Sequence, residues 1–488
     1  MDAPIPLAPL AVDHPLAEGT RVSIDPRADF LDREHVSGGT PWRLLRLSGA
    51  SRAVAEQWRT GGVVRAGESR LARTLVSQGL LHPHFSGDVD VNEIDVVVPV
   101  HDDAHLLAAL LDELSEFHVT VVDDGSSDAS WDARYATRAN VDVRRLDDNR
   151  GPAHARNHGA RVTSREFLWF IDADVTLGDA RAVAERLRNA LRDPLVAACA
   201  PRIRGAGGAS WRERFEERFS PLDLGPRSSL VAPVSAVSFV PGACVLVRRS
   251  AYGDGFDESM RVGEDVDFVW RLVDRGWLVR YDAEVAVGHR TRASWRAWWL
   301  QRHRYGASSA DLAARHGRRL APVRADLWTV VGWGLVATGH PIGATRVVRA
   351  ARDHARERLF GGADNPEALA QAVVTRQVLN AGGPLARSVV RTFGTGLLAA
   401  ALHPRLRKGA VAIFVVGTAW RWRHERPRLG DVPLAVADDL AYGTGVWRGA
   451  WKAKSLTSLT PHITKPSMSL RDVLGLSRPR AGVRDDAE

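Results

Sequence analysis

Three largely apolar runs alternate with two helical segments in the middle of the chain, and the first run is rich in β-branched residues. This alternation constrains the fold more than any other feature. The predicted strands are residues 94–100, 118–122 and 166–171, and the predicted helices are 106–117 and 153–163. A continuous β-branched run suits a parallel strand that helices cover on both faces. The sequence therefore predicts an α/β fold with an open, mostly parallel, Rossmann-like sheet.

The 488 residues are enough for two or three domains. Short predicted strands at 19–24 and 42–47 and predicted helices at 51–58 and 69–78 set the start of the chain apart and favour a small winged-helix-like module. We predict four divisions: this module at 1–90, the α/β domain at 91–320, a helical, basic region at 321–455 and a disordered tail at 456–488.

The positive charge is concentrated in the C-terminal third, where residues 321–488 hold 24 Lys and Arg against 13 Asp and Glu. Nucleic acid is not predicted as a partner, because no zinc-ligand spacing, RNP motif or basic helix with heptads accompanies this charge. Cys199 and Cys244 lie in apolar stretches and form no disulfide framework, and the N-terminus lacks a secretory pattern. These features predict a cytoplasmic protein.

No stretch is predicted to span a membrane. Residues 327–345 lack charged side chains but contain four glycines and Pro341, and residues 410–420 are too few, because a span needs about 20. The Arg-flanked stretch 387–403 fits a packed or surface-lying amphipathic helix better. We favour helices packed on the α/β domain, and we keep peripheral association with an anionic membrane at its cytoplasmic face as the alternative.

Polar residues follow the first two predicted strands, at the sheet edge where ligands of open α/β folds bind. Pro99 fixes the exit of the first strand, and the backbone there could bond a nucleobase edge. After the second strand, Asp123 and Asp124 could accept a base N–H or a ribose hydroxyl, and Gly125 permits a left-handed turn. The alternatives are an ordinary strand end and an Asp-Gly turn with capping serines.

Asp172 and Asp174 follow the third predicted strand. On a strand, side chains at positions i and i+2 point the same way, so this edge would offer two oxygen ligands together. Such a pair suits Mg²⁺ or Mn²⁺ holding a diphosphate. His289 ends a later predicted strand at 285–289 and is a candidate third ligand, although a lone histidine is more often structural. Because Asp-x-Asp is common by chance, the prediction depends on the neighbouring motifs.

Three further charged residues are candidates for the chemistry. Arg156, on a small-residue helix, could meet a phosphate, and a surface salt bridge is the alternative. Glu264 and Asp265 begin another helix, where acidic residues also occur simply because the helix dipole favours them. A base for a sugar hydroxyl has to be an ionised carboxylate within hydrogen-bond reach. We assign Asp265 as that base and Glu264 to acceptor hydroxyls or the local loop.

The segment 298–306 mixes aromatic and basic residues. It is either a packed helix or an acceptor platform, with aromatic faces for sugar rings and arginine for a leaving diphosphate. Gln301, Arg304 and Tyr305 are the candidate residues there.

Together these segments resemble the GT-A fold of family 2 glycosyltransferases over about residues 93–306. The resemblance is carried by VVVPVHDD, VVDDGSSD, NRGPAHARNHG, FIDADV, VPGACVLVRRSAY, GEDVDFVWRL and QRHRY, in this order. QRHRY is similar to the Gln-x-x-Arg-Trp motif of processive members, with Tyr305 in place of tryptophan. The resemblance implies nucleotide binding at Asp123 and Asp124, a metal-bound diphosphate at Asp172 and Asp174 completed by His289, and a general base at Asp265.

The segments GTRVSIDPR and GGTPWRLLRLS are similar to the mycofactocin-pathway branch of this family in actinobacteria. This resemblance implies that residues 1–90 recognise a peptide, along an exposed strand edge. It also implies inverting transfer of one or several glucose units from UDP-glucose to an acceptor derived from a Val–Tyr peptide end. The alternatives are transfer to a lipid carrier or cell-envelope polysaccharide, and a non-catalytic peptide-binding scaffold.

Overall fold

The computed structural model describes residues 14–464, except 129, 292, 293, 359, 362, 364, 423–427 and 429. The chain forms two compact units with their boundary between Trp298 and Trp299. Most of the predicted disordered tail, from residue 465 onward, lies outside the described residues. Residues before 465 form a short turn at Thr457–Leu459 and the strand His462–Thr464.

A nine-stranded mixed sheet is the centre of the first unit, counted over the described residues. In spatial order its main path is Val175–Thr176, Leu278–His289, Val196–Gly205, Cys244–Arg248, Phe167–Ile171, Ile94–Val100, His118–Asp123 and Val141–Arg145, and Ser229–Leu230 pairs with Leu278–His289. The three strands predicted first are therefore neighbours in the middle of this sheet. The α/β class and the GT-A arrangement are confirmed.

The sheet is parallel on one side and mixed on the other. The strands from Phe167–Ile171 to Val141–Arg145 are all parallel. Cys244–Arg248 is antiparallel to both of its neighbours, and Cys244 lies opposite Ile171. The apolar run CVLVR carries no signal for strand direction, so the sequence did not predict this reversal. Its consequence is that the chain just before Cys244 lies beside the end of the Phe167–Ile171 strand.

Helices surround this sheet, and the helix Pro152–Val162 approaches it most closely. Gly151 has a positive φ of 99° and Pro152 occupies the first helical position, where its missing N–H costs nothing. A Cβ added at Gly159 would lie 2.3 Å from a methyl group of Val97, so only glycine allows this packing. The helices of the first unit are Gly49–Gln57, Ser69–Ser77, Leu107–Glu113, Ser130–Tyr135, Pro152–Val162, Ala180–Ala190, Trp211–Phe219, Arg249–Tyr252 and Glu264–Asp274.

The N-terminal residues form two small sheets. Arg21–Ile24 pairs with Gly62–Val63 and Leu81–His84, whereas Asp29–Phe30, His35–Gly38 and Arg43–Arg46 form the second sheet, so the two strands predicted here lie in different sheets.

These N-terminal residues belong to the same compact unit as the large sheet. Arg73 forms a buried bidentate ion pair with Asp193, with N–O distances of 2.8 and 3.0 Å. Recognition of a peptide by a winged-helix-like module here stays a prediction.

The second unit is helical, as predicted. Its helices are Leu327–Ala337, Pro341–Arg358, Pro366–Leu402, Arg407–Ala419 and Asp431–Lys452, and Trp295–His316 crosses the boundary from the first unit. Arg324–Asp326 and His462–Thr464 form a short parallel pair. Within the described part of the chain, only Pro366–Leu402 is long and apolar enough to cross a membrane by length and composition.

Candidate active site

Asp123 and Asp124 hold the turn that follows the His118–Asp123 strand. Asp124 accepts hydrogen bonds from the backbone N–H groups of Arg150 and Gly151, at 3.0 and 2.7 Å. Asp123 is fully buried and accepts from Ser126, at 2.9 Å from its N–H, and from the Arg145 guanidinium. Both carboxylates therefore fix the shape of this sheet edge, and their contact with a nucleotide stays a prediction.

Pro99 lies at the same edge. It is opposite Val122 in the parallel pair of strands, and the Asp124 N–H donates to the Val100 carbonyl at 2.8 Å. Gly125 has a φ of 66°, and an added Cβ would lie 2.8 Å from the Asn149 nitrogen. The turn after the second strand therefore requires glycine, for both conformation and space.

Asp172 and Asp174 lie in the turn after the strand and contact different partners, so the expectation that strand geometry aligns their side chains is wrong. The strand ends at Ile171, and the Val175 N–H donates to the Asp172 carbonyl at 3.0 Å, so the two residues lie in a turn. Strand alternation no longer applies there. Asp172 contacts Arg156, and Asp174 contacts His289.

Arg156 lies between two carboxylates. It donates to Glu264 Oε1 at 2.8 Å and to Asp172 Oδ1 at 2.7 Å. Burial alone would lower the pKa of Arg156, but the negative charges of Asp172, Glu264 and Asp265 raise that pKa above its ordinary value. Arg156 is buried, so the alternative of a surface salt bridge is wrong. Its charge instead binds the Asp172 turn to the start of the Glu264–Asp274 helix.

Asp265 is the more accessible carboxylate of the Glu264–Asp265 pair. It is half-buried, and its two oxygens accept from the N–H groups of Gly242 at 3.0 Å and Val266 at 2.8 Å. Burial raises the pKa of Asp265, although the Gly242 N–H and Arg156 act in the opposite direction. A carboxylate with a raised pKa, oriented by backbone donors, is a suitable general base.

Glu264 is buried beside it. Burial and the neighbouring Asp265 raise the pKa of Glu264 to about 7, even though Arg156 lowers it. Because Glu264 is paired with Arg156, its predicted contact with acceptor hydroxyls would require the acceptor to reach a carboxylate that is already engaged.

Asp174 and His289 are the two predicted metal ligands that the structure brings together. The His289 Nε2 atom lies 3.3 Å from Asp174 Oδ1, and His289 is paired with Val175 across the sheet. Asp172 is directed to Arg156 instead, and the described residues contain no group of three or more His, Cys, Asp or Glu placed to hold a metal. Oxygen and imidazole donors nevertheless suit a divalent cation that also binds the oxygens of a substrate.

Gln301, Arg304 and Tyr305 lie on the helix Trp295–His316, beyond the unit boundary at Trp298. The Gln301 Nε2 atom donates to the Tyr305 hydroxyl at 3.2 Å, and Arg304 is exposed. Their roles toward an acceptor or a diphosphate stay predictions.

Three contributing residues were assigned no role from the sequence. The Gly242 N–H orients Asp265, and Arg145 neutralises Asp123. Glu258 contacts His154 at 2.6 Å and accepts from Asn157 at 3.0 Å, so it fixes the helix that carries Arg156. Burial would raise the pKa of Glu258, but these hydrogen bonds lower it to about 2. Of the three, only Gly242 could have been found from the sequence, because it lies in the segment PGA just before a predicted strand. The contacts of Arg145 and Glu258 join segments that are distant in the sequence.

The mixed α/β sheet, with carboxylates gathered at the ends of adjacent strands, agrees with the glycosyltransferase class that the sequence resembles. The chain belongs to glycosyl transferase family 2, whose family model matches residues 95–256.

The chain is 34% identical to the pre-mycofactocin glycosyltransferase of Mycobacterium tuberculosis, over 466 residues that cover 92% of this chain and 98% of that protein. It is 26% identical to the poly-beta-1,6-N-acetyl-D-glucosamine synthase of Staphylococcus aureus, over 47% of this chain and 58% of that protein. The mannosyltransferase PcManGT from Pyrobaculum calidifontis, solved with GDP-Man and Mn²⁺, is 17% identical with a TM-score of 0.43, covering 76% of this chain and 91% of that chain. The predicted resemblance is thereby confirmed for the family and its mycofactocin-pathway branch.

Proposed function

We propose that the protein transfers glucose from UDP-glucose, with inversion, to the peptide-derived precursor of mycofactocin, and that it adds one or several β-linked units. The observation that carries this proposal is the identity of 34% along 92% of the chain with a relative named for that acceptor. The winged-helix-like N-terminal residues would recognise the peptide part. The reaction would take place in the cytoplasm. Family membership leaves the non-catalytic scaffold without support.

The donor would bind at the edge formed by Pro99, Asp123 and Asp124, because open α/β sheets bind ligands beyond the carboxyl ends of their strands. Asp174 and His289 would hold Mg²⁺ or Mn²⁺, and Asp172 would contribute only if it left Arg156. When bound, such a cation neutralises the charge of the diphosphate and makes it a better leaving group. Arg156 keeps a permanent positive charge beside Asp172.

Asp265 would take the proton of the acceptor hydroxyl. As that hydroxyl oxygen bonds to the anomeric carbon, the bond from this carbon to the diphosphate breaks on the opposite face. One displacement inverts the configuration, so an α-linked donor gives a β-linked product without a covalent sugar–enzyme intermediate. The Gly242 and Val266 N–H groups hold the Asp265 oxygens in place for this step.

A panel of donors tests the proposal. The protein is incubated with the peptide-derived acceptor and, separately, with UDP-glucose, UDP-galactose or UDP-N-acetylglucosamine, with Mn²⁺ or with a chelator. We expect acceptor-dependent UDP release with UDP-glucose and Mn²⁺ and its loss with the chelator. Release that is equally fast with each donor, or in the chelator, would contradict the proposed donor or the proposed metal.

Replacing Asp174 by Ala is expected to lower transfer by about a hundredfold and to weaken binding of UDP-glucose with Mn²⁺. The variant loses the carboxylate that contacts His289. Calorimetric titration with UDP-glucose and Mn²⁺ measures the binding. Asp142→Ala is the matched control, because that exposed carboxylate contacts only Arg144 among the described residues. Wild-type metal dependence in Asp174→Ala would show that the metal is held elsewhere.

The pH dependence of transfer should report the coupled Glu264–Asp265 pair. We expect kcat/KM to fall as the pH drops through about 7, the raised pKa of Glu264, because a protonated pair cannot accept the hydroxyl proton. In Glu264→Gln the fall should move to lower pH, since a negative neighbour no longer raises the pKa of Asp265. Superimposable pH profiles for the two proteins would show that Glu264 does not influence the base.

A second acceptor class, a sugar on a lipid carrier, is favoured by one observation. The helical unit exposes large apolar side chains, including Leu402 and Trp451. Product formation on a polyprenyl phosphate sugar, and none on the peptide-derived acceptor, would select this second candidate.

A further inference from the structure

The helical unit buries a small network of charged residues. Arg302 and Asp438 form a buried ion pair at 2.8 Å, and Arg421 contacts the second oxygen of the same carboxylate. Arg387, on the helix Pro366–Leu402, contacts the buried Asp439. Ion pairs cost desolvation free energy in a protein core, so a water-soluble helical unit usually carries its charges outside.

The same unit places large apolar side chains outside. Leu398, Leu402, Val411, Val415 and Val416 have exposed fractions between 46 and 87%. Within the Arg407–Ala419 helix, positions 411 and 415 are one turn apart and therefore share a face. Large exposed apolar patches are rare on monomeric soluble proteins, so this many exposed apolar side chains on two helices suggest a surface that something else covers.

The two helices that carry these side chains pack closely against each other. A Cβ added at Gly417 would lie 2.6 Å from the Ala386 carbonyl, a backbone approach that is typical of helices packed through small residues in membranes. We call the exposed apolar surface of Pro366–Leu402 and Arg407–Ala419, represented by Leu398, Leu402, Val411, Val415 and Val416, the hairpin face.

After Glu367, the two helices of the hairpin face and the connection between them carry charge of one sign in the sequence. No Asp or Glu occurs between Glu367 and Glu425 in the sequence. Arg405, in the connection between the two helices, and Arg407 and Lys408, at the start of the second helix, are exposed. A basic rim beside an apolar surface complements anionic lipid headgroups above acyl chains.

The length of Arg407–Ala419 favours a position in the membrane surface, whereas Pro366–Leu402 is long enough to cross by length and composition alone. Arg387, near the middle of Pro366–Leu402, is held by the buried Asp439, which opposes a span by that helix. The 13 residues of Arg407–Ala419 extend about 20 Å, which is short of the ~30 Å hydrocarbon core.

Tryptophan side chains prefer the headgroup level of a membrane. Trp447 contacts the helix Pro366–Leu402, because its indole N–H donates to the Thr392 carbonyl at 2.9 Å.

We propose that the hairpin face lies in the interfacial region of an anionic lipid bilayer and holds the enzyme at the membrane as a peripheral, monotopic protein. The apolar side chains enter the boundary between headgroups and acyl chains, and Arg405, Arg407 and Lys408 contact the headgroups. This binding requires neither a donor nor an acceptor, so it stands or fails independently of the proposed reaction.

Flotation of the full chain with vesicles tests the proposal. The vesicles contain either phosphatidylcholine alone or phosphatidylcholine with phosphatidylglycerol, at low and high salt. We expect binding to the anionic vesicles that weakens at high salt. Replacing Arg405, Arg407 and Lys408 together by Gln should weaken it by about a hundredfold. Val415→Glu/Val416→Glu should weaken it by at least about tenfold at either salt concentration.

The control is Val162→Glu, which changes an exposed valine at the end of a helix in the first unit. It should bind vesicles like the wild type, and circular dichroism establishes that each variant is folded. Wild-type protein that does not float, or a Val415→Glu/Val416→Glu variant that floats like the wild type, would overturn the proposal. Dimers of the wild type that this variant abolishes, without any vesicle binding, would assign the hairpin face to a second copy of the chain instead.

Discussion

Replacing Asp265 by Asn is expected to lower sugar transfer by about 10²–10⁴-fold, the usual contribution of a general base, while the affinity for UDP-glucose stays close to that of the wild type. The side chain keeps its size, but it can no longer take a proton, and its single oxygen can accept from only one of the Gly242 and Val266 N–H groups. Single-turnover kinetics measure the chemical step, and calorimetric titration measures donor binding.

Asp267→Asn is the matched control for this change. Asp267 lies in the first turn of the same helix, but it is buried and contacts Arg271 at 2.7 Å. This control should keep transfer within a few-fold of the wild type. Transfer at the wild-type rate in Asp265→Asn would show that another group is the base, and a parallel loss of donor binding would show that Asp265 acts by shaping the site.

Replacing Arg156 by Met is expected to destabilise the first unit by about 3–5 kcal/mol, because it leaves two carboxylates, one buried and one half-buried, without their cation. These are Asp172 and Glu264, at 2.7 and 2.8 Å from the guanidinium. Urea unfolding, followed by circular dichroism, measures the loss. Adding Glu264→Gln to the variant should recover part of the free energy, since one uncompensated charge is removed.

The control for Arg156 is Arg138→Met, which removes a surface pair with the exposed Asp112 and should cost under about 1 kcal/mol. Equal losses for the two arginines would show that the buried ion pairs of Arg156 do not hold the site together. A normal stability with lost transfer would instead assign Arg156 to the donor alone.

The central fold could be predicted because its signals are local. Residues 94–100 are rich in β-branched side chains, and residues 167–171 are apolar and largely aromatic. Turn residues follow each of these two runs. The helix Pro152–Val162 was predictable from its glycine and proline start and its small residues.

The arrangement of the site could be predicted only in part, because its decisive contacts join distant segments. A two-residue spacing indicated that Asp172 and Asp174 would act together, but the two residues lie in a turn and contact different partners. The pairing of Arg156 with Glu264 depends on how one helix faces another. Likewise, Gly242 reaches Asp265 because Cys244–Arg248 runs antiparallel to its neighbours, for which its apolar sequence carries no signal.

The most direct test of the account is the product itself. Wild-type protein is incubated with UDP-glucose, Mn²⁺ and the peptide-derived acceptor; mass spectrometry counts the added hexoses and NMR assigns the anomeric linkage. We expect one or more hexose additions, all β-linked, and almost none with Asp265→Asn. An α-linked product, or no addition with any UDP-sugar while the protein is folded and binds UDP, would contradict inverting transfer to this acceptor.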